Sequence, residues 1–190
     1  MALKIEAHIH LDNLRHNLEC VRRLAPRSQL LAVVKADAYG HGLLPVVRTL
    51  TDTTDGFALV ELEGALALRD AGYSQPVLML EGPYQADELA LYAEFELTPV
   101  LHTMWQVDAL VEARLPVRLP VYIKLNTGMN RLGFNEDEFA TALDRLVAAD
   151  CVGQVTLMTH FADADEPSGI GQQLQRFQDM AGDRRLPVSV

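Results

Sequence analysis

Lysine is scarce in this 190-residue chain: of 16 basic residues only Lys4, Lys35 and Lys124 are lysines, so arginine covers the surface. Positive charge is itself in deficit, 16 Lys and Arg standing against 26 Asp and Glu for a formal net charge of -10. An excess of carboxylates repels phosphate backbones and anionic headgroups, which makes nucleic acid and membrane surfaces poor partners. No stretch is apolar over the ~18 residues that a bilayer-spanning helix needs. The start MALKIEAHIH lacks the basic, apolar and small-residue zones of a secretion signal, so a cytoplasmic protein is expected. Cys20 and Cys151 show neither CxxC spacing nor the density of a disulfide scaffold and are read as plain thiols. Internal repeats, low-complexity tracts and linkers are also missing.

What is present, with 49% hydrophobic and 22% charged residues, is the composition of an ordinary globular domain. Short apolar or β-branched runs alternate with longer amphipathic stretches, the pattern of βα units around a parallel sheet. Strands are expected near Leu30–Val34, Phe57–Val60, Val77–Leu80, Thr98–Leu101, Val121–Leu125 and Val155–Thr159, with a seventh beginning at Pro187. Helices are expected near 42–54, 61–71, 85–94, 103–113, 136–149 and 170–181. Asn135 can cap the fifth of these, with Glu138 in capping-box position, and Gly72 is a stop signal after Ala71. Such units either close into a (β/α) barrel or stay open as a doubly wound sheet. A closed barrel takes eight strands and roughly 250 residues, so a barrel here is an incomplete one of about six βα units plus the start of a seventh strand.

The N-terminus reads differently. In LKIEAHIHL the apolar Leu3, Ile5, Ala7, Ile9 and Leu11 alternate with Lys4, Glu6, His8 and His10, as in a half-exposed strand of an antiparallel sheet. Residues 1–11 are therefore assigned to a second β domain, and 12–190 to the barrel. A helix over Asp12–Ala25 presents Leu14, Leu18, Val21 and Leu24 on one face and stops at Pro26.

Lys35 ends LLAVVK and Lys124 ends PVYIK, each at the carboxyl end of an expected parallel strand, where α/β proteins build ligand sites. Either lysine could simply snorkel its ammonium to water. Alternatively, a partly desolvated Lys35 is a nucleophilic amine able to form a Schiff base with an aldehyde. The following residues suit that role: Gly40 and Gly42 permit close backbone approach, Tyr39 offers a hydroxyl, and His41 a polar ring.

Four blocks in order carry a resemblance to the alanine racemases. AVVKADAYGHG resembles their pyridoxal-phosphate attachment motif, KLNTGMNRLGF (124–134) their KxDTGMxRLG motif, THFADADEP (159–167) their SHFAxADEP segment, and LRHNL (14–18) their first helix. The resemblance implies a (β/α)8 barrel of TIM type, interconversion of L- and D-alanine by two-base proton transfer, and a D-alanine supply for peptidoglycan. It implies pyridoxal 5'-phosphate as cofactor and alanine as substrate. Lys35 would be the catalytic lysine bearing the cofactor and exchanging the α-proton on the D-face. Tyr39 would hydrogen-bond the cofactor phosphate, and Arg131 would lie near its phenolic oxygen and bind the substrate carboxylate. His160 would orient a second arginine, which no residue here matches, against the pyridine nitrogen. Lys124 matches a position that many members carbamylate, to position the neighbouring arginine. The family also implies a head-to-tail homodimer whose β domain supplies a tyrosine for the L-face, a role no tyrosine here can be given.

Two departures stand out. Asn126 occupies the place of the family's usual Asp, and HIHLDNL replaces its EIDL pattern. His8, His10, Lys124 and His160 also admit a different reading, as the metal ligands of an amidohydrolase-type barrel. A third is a non-catalytic barrel that only binds the cofactor.

Overall fold

A computed structural model describes residues 5–190. It divides into two compact units, Met1–Leu78 and Met79–Val190. The first opens with α1 (Leu11–Leu24), β1 (Leu31–Val33) and α2 (Lys35–Gly40), a single turn considered below. It continues with α3 (Leu43–Leu50), β2 (Gly56–Leu59), α4 (Leu62–Asp70) and β3 (Val77–Met79), which ends on the first residue of the second unit. β1 and β2 pair in parallel with Leu31 opposite Gly56 and Val33 opposite Ala58, and Phe57 N–H donates to the Pro76 carbonyl at 2.8 Å. Every residue of β2 and β3 is buried, as an interior parallel strand requires, and Val47, Leu50, Phe57, Leu59 and Leu68 form the core. A Cβ on Gly56 would lie 2.6 Å from the Pro76 oxygen, so only glycine lets the two backbones approach this closely.

Two local expectations are met in detail. Gly72, at φ +84°, ends α4 in a Schellman arrangement: its N–H reaches the Arg69 carbonyl and the Tyr73 N–H the Leu68 carbonyl. Helix α1 stops before Pro26, but its apolar face is shallow: no α1 residue is buried, and Leu24 is 87% exposed. A polar clasp holds it instead. Arg22 donates to Asp55 Oδ2 at 2.6 Å, to the Thr53 carbonyl and to the Ser28 carbonyl, and the same Asp55 oxygen accepts the Leu30 N–H at 2.7 Å. The Leu30 bond, with Arg22 adding to it against the opposing effect of burial, holds the Asp55 carboxyl below its usual range.

The second unit follows with α5 (Glu88–Glu94), β4 (Leu97–Leu101), α6 (Met104–Glu112), β5 (Leu119–Lys124), α7 (Glu136–Ala148), β6 (Val152–Met158), α8 (Gly171–Ala181) and β7 (Val188–Ser189). β4 to β7 are parallel neighbours in chain order, Val100 facing Tyr122, Lys124 facing Met158 and Leu157 facing Val188. Successive parallel strands in chain order are the repeat of a (β/α) barrel. The β5–β6 register slips between Leu119 and Val121, at Pro120, which has no N–H to give the ladder. Leu101, Leu110, Ile123, Phe134, Leu146 and Leu157 are among its fully buried core residues.

Residues 5–10 form no strand among the described residues, and the rest of the expected 1–11 strand, residues 1–4, lies outside them. A strand is a product of pairing, and its alternating pattern alone cannot supply the partner. Asn135 does precede α7, but its side chain makes no capping bond. Its Oδ1 instead accepts from Asn126, which displaces the expected capping box.

Candidate active site

The first unit carries Lys35 and Tyr39. Lys35 follows Val34 at the end of β1 and is half-buried, and the chain then enters α2 with Ala36, Asp37, Ala38 and Tyr39 all at φ between +51° and +57°. Four consecutive non-glycine residues thus form a left-handed turn, which costs L-residues roughly 1–2 kcal/mol apiece. The surrounding bonds hold it there. Ala38 N–H donates to the Val34 carbonyl, His41 N–H to the Ala38 carbonyl and Gly42 N–H to the Asp37 carbonyl. Ala36 N–H is shared by both Glu61 oxygens at 3.2 and 3.3 Å, and Asp37 Oδ1 accepts the first α3 amide, Leu43 N–H, at 2.7 Å. His41 Nδ1–H donates to the Ala38 carbonyl at 2.8 Å. The turn leaves Tyr39 59% exposed beside a lysine fixed at its base. The glycines at 40 and 42 were the visible signal; that the strain would fall on the Ala36–Tyr39 run was not legible in the residues.

The second unit carries Lys124, Arg131 and His160 at the adjacent carboxyl ends of β5 and β6. Lys124 is only 6% exposed, so the snorkelling alternative does not describe it. The loop after β5 returns to form a bridge, with Phe134 N–H donating to the Lys124 carbonyl and Asn126 N–H to the Phe134 carbonyl. Gly133, at φ +123°, is required there: a Cβ would meet Asn126 N at 2.7 Å. This loop presents Arg131 at the surface. Thr159, buried just before the exposed His160, donates its hydroxyl proton to the Leu125 carbonyl at 3.0 Å. Thr127 must then donate to Thr159 across their 2.7 Å contact, tying the Arg131 loop to the His160 segment.

A group missed from the sequence lies at the ends of β3 and β4. His102 Nε2–H donates to the Glu81 carbonyl at 3.0 Å, and Gln106, buried, donates to the Glu81 and Pro83 carbonyls while accepting the His102 N–H. Burial, reinforced by the Lys124 charge, pushes the His102 pKa down and keeps the ring neutral. Its one signal was position, directly after an apolar strand. Among the described residues no group of three or more His, Cys, Asp or Glu side chains is placed to hold a metal ion, so the metal-ligand reading is not favoured.

Parallel βα units following one another in chain order, with polar side chains at the carboxyl ends of their strands, define a barrel-type α/β domain. The chain belongs to the family described as alanine racemase, N-terminal domain, which matches residues 9–188. It is 49% identical over 193 residues to an alanine racemase of Nitrosospira multiformis, covering all of this chain and 54% of that protein. The solved biosynthetic alanine racemase of Pseudomonas aeruginosa is 38% identical with a TM-score of 0.87, over 94% of this chain and 50% of that one. A histidine racemase from Leuconostoc mesenteroides superimposes with a TM-score of 0.85 at 28% identity, over 95% of this chain and 50% of its own. The chain therefore spans about half the length of the relatives it matches.

Proposed function

We propose that this chain is the cofactor-bearing barrel part of an alanine racemase, with pyridoxal 5'-phosphate held on Lys35. The observation that carries the reading is Lys35 itself, half-buried at the end of β1 and locked at the base of a left-handed turn. Each unit offers side chains of suitable chemistry for the group: the first a primary amine for the aldehyde and the exposed Tyr39 hydroxyl for the phosphate, the second Arg131 and His160 on the loops beyond β5 and β6. When bound, the cofactor supplies an electron sink that makes the α-proton of an amino acid removable. Lys35 Nζ then carries that proton on one face, in the role of a base whose ammonium form returns it. Arg131 holds the substrate carboxylate, for which a planar, permanently charged guanidinium is suited. Carbamylation of Lys124 would replace its ammonium by a carboxylate able to pair with and orient the Arg131 guanidinium. The second proton carrier, a tyrosine of a further β domain reached across a homodimer, is proposed for the whole protein. Residues 1–11 would join that domain. D-alanine for peptidoglycan would be the product's use, in the cytoplasm. No helix among the described residues is long and apolar enough to cross a membrane.

Because the chain spans about half of its relatives' length, a second reading applies to these 190 residues alone: cofactor binding without interconversion. Incubation with pyridoxal phosphate followed by borohydride separates the readings from each other and from error. Trapping on the peptide containing Lys35, absent in Lys35→Ala, supports both, and label elsewhere overturns both. Racemisation of alanine by the loaded 190-residue chain then selects the first for the chain itself, and binding without racemisation the second.

A further inference from the structure

Asn126, the departure within the KLNTGMNRLGF block, makes four hydrogen bonds that a carboxylate could not all make. Its Oδ1 accepts the backbone N–H of Gly128 at 3.2 Å and of Asn130 at 3.1 Å. Its Nδ2 donates to Asn130 Oδ1 at 3.1 Å and to Asn135 Oδ1 at 3.3 Å. This orientation is forced, since backbone N–H groups only donate and must face the oxygen. Asn130 is fixed from its other side: its Nδ2 donates to the Gly128 carbonyl at 3.1 Å, which turns its Oδ1 toward Asn126. Asn130 also stands at φ +57°, where Asn and Gly are the residues best tolerated. Asp at 126 would set acceptor against acceptor at Asn130 and Asn135, and that repulsion would loosen its hold on the two backbone N–H groups; turning the Asn135 amide to present its Nδ2 relieves the second conflict. Flipping the Asn130 amide would only move the conflict to the Gly128 carbonyl.

We propose that Asn126 is a positioning residue: with Asn130 and Asn135 it braces residues 127–131 against the start of α7 and so fixes Arg131 for the substrate carboxylate. The assignment rests on the role proposed above for Arg131. It carries a pairing rule, that an acid at 126 is compatible only with a residue at 130 that brings no acceptor. Glycine meets that rule and suits the backbone.

The test compares the unsubstituted chain with Asn126→Asp, Asn130→Gly and the double variant. In the chain without cofactor, amide hydrogen exchange at Gly128 and at position 130 should be about tenfold faster in Asn126→Asp, as loss of a hydrogen-bonded brace predicts. The double variant should return to within about threefold of the unsubstituted chain. In the chain loaded with pyridoxal phosphate, affinity for alanine, read from the visible absorbance change, should fall about tenfold in Asn126→Asp and recover in the double variant. The melting temperature should shift by less than about 2 °C, which separates positioning from a global structural role. Unchanged exchange in Asn126→Asp, or a double variant as impaired as the single, overturns the proposal. An unsubstituted chain that takes up no pyridoxal phosphate overturns the role given to Arg131 and its positioning, and the exchange rates in the same samples still report whether the brace exists.

Discussion

Ala36 offers a test of the left-handed turn in which the sign of the effect decides. The residue is exposed, so its methyl contributes little burial, and it stands at φ +51° and ψ +53°. Ala36→Gly removes left-handed strain of roughly 1–2 kcal/mol. It adds a backbone-entropy cost of roughly 0.5–1 kcal/mol in the unfolded chain. The net is a stabilisation of about 0.5–1 kcal/mol from deleting a side chain, with the Glu61 tether to the residue 36 N–H intact. Ala36→Val goes the other way, because a β-branched side chain suffers more at positive φ, and should destabilise by about 1–2 kcal/mol. Urea unfolding of the two variants beside the parent reads both numbers, with the slope of the transition unchanged. In a right-handed helical turn at this position glycine would instead cost about 1 kcal/mol and valine somewhat less. Glycine destabilising more than valine would therefore refute the left-handed assignment and the account of how Lys35 is held.

Asp55 has a lowered folded-state pKa, so its stabilisation is present above the ordinary carboxylate value of about 4 and is lost as pH falls through the lower folded value. Asp55→Asn should cost about 1 kcal/mol at neutral pH, a figure discounted for the exposure of the Arg22 pair, and flatten the stability curve in that acid window. His102, also lowered, contributes above its ordinary value of about 6.5 and loses that contribution as pH falls through its lower folded value. His102→Asn should remove that part of the curve, and an unchanged curve would contradict its burial. Gly133→Ala should destabilise by at least about 2 kcal/mol in thermal melts, because the new Cβ meets backbone that cannot turn aside. In bicarbonate, the intact mass should rise by one carbon dioxide in the parent and not in Lys124→Met; equal masses would end the carbamylation proposal.

The order of strands and helices was legible in the residues. Every expected strand from Leu30 to Pro187 falls on an observed one within a few residues, because buried parallel strands must be continuously apolar and the helices between them amphipathic. The Gly72 stop and the break before Pro26 were legible for a similar reason: each depends on one residue's own backbone preference. The four motif blocks marked Lys35, Tyr39, Lys124, Arg131 and His160, and the family match agrees with the whole they describe.

What sequence did not contain was set by partners distant along the chain. Asn135 had every local mark of a cap, yet its oxygen went to Asn126, nine residues away. The alternation of residues 1–11 described a strand whose pairing no local pattern could provide. Lys124 could not be known to lie buried until β5 was packed, nor the His102 pKa to be pushed down until burial, with the Lys124 charge, outweighed the opposing bond to the Glu81 carbonyl. Above all, the residues alone say that a lysine leaves β1 beside a tyrosine and two glycines. That Ala36 to Tyr39 wind left-handed is not local information alone: beside the short-range bonds to Val34 and Asp37, the turn is held by Glu61, 25 residues away beyond β2, on the Ala36 N–H.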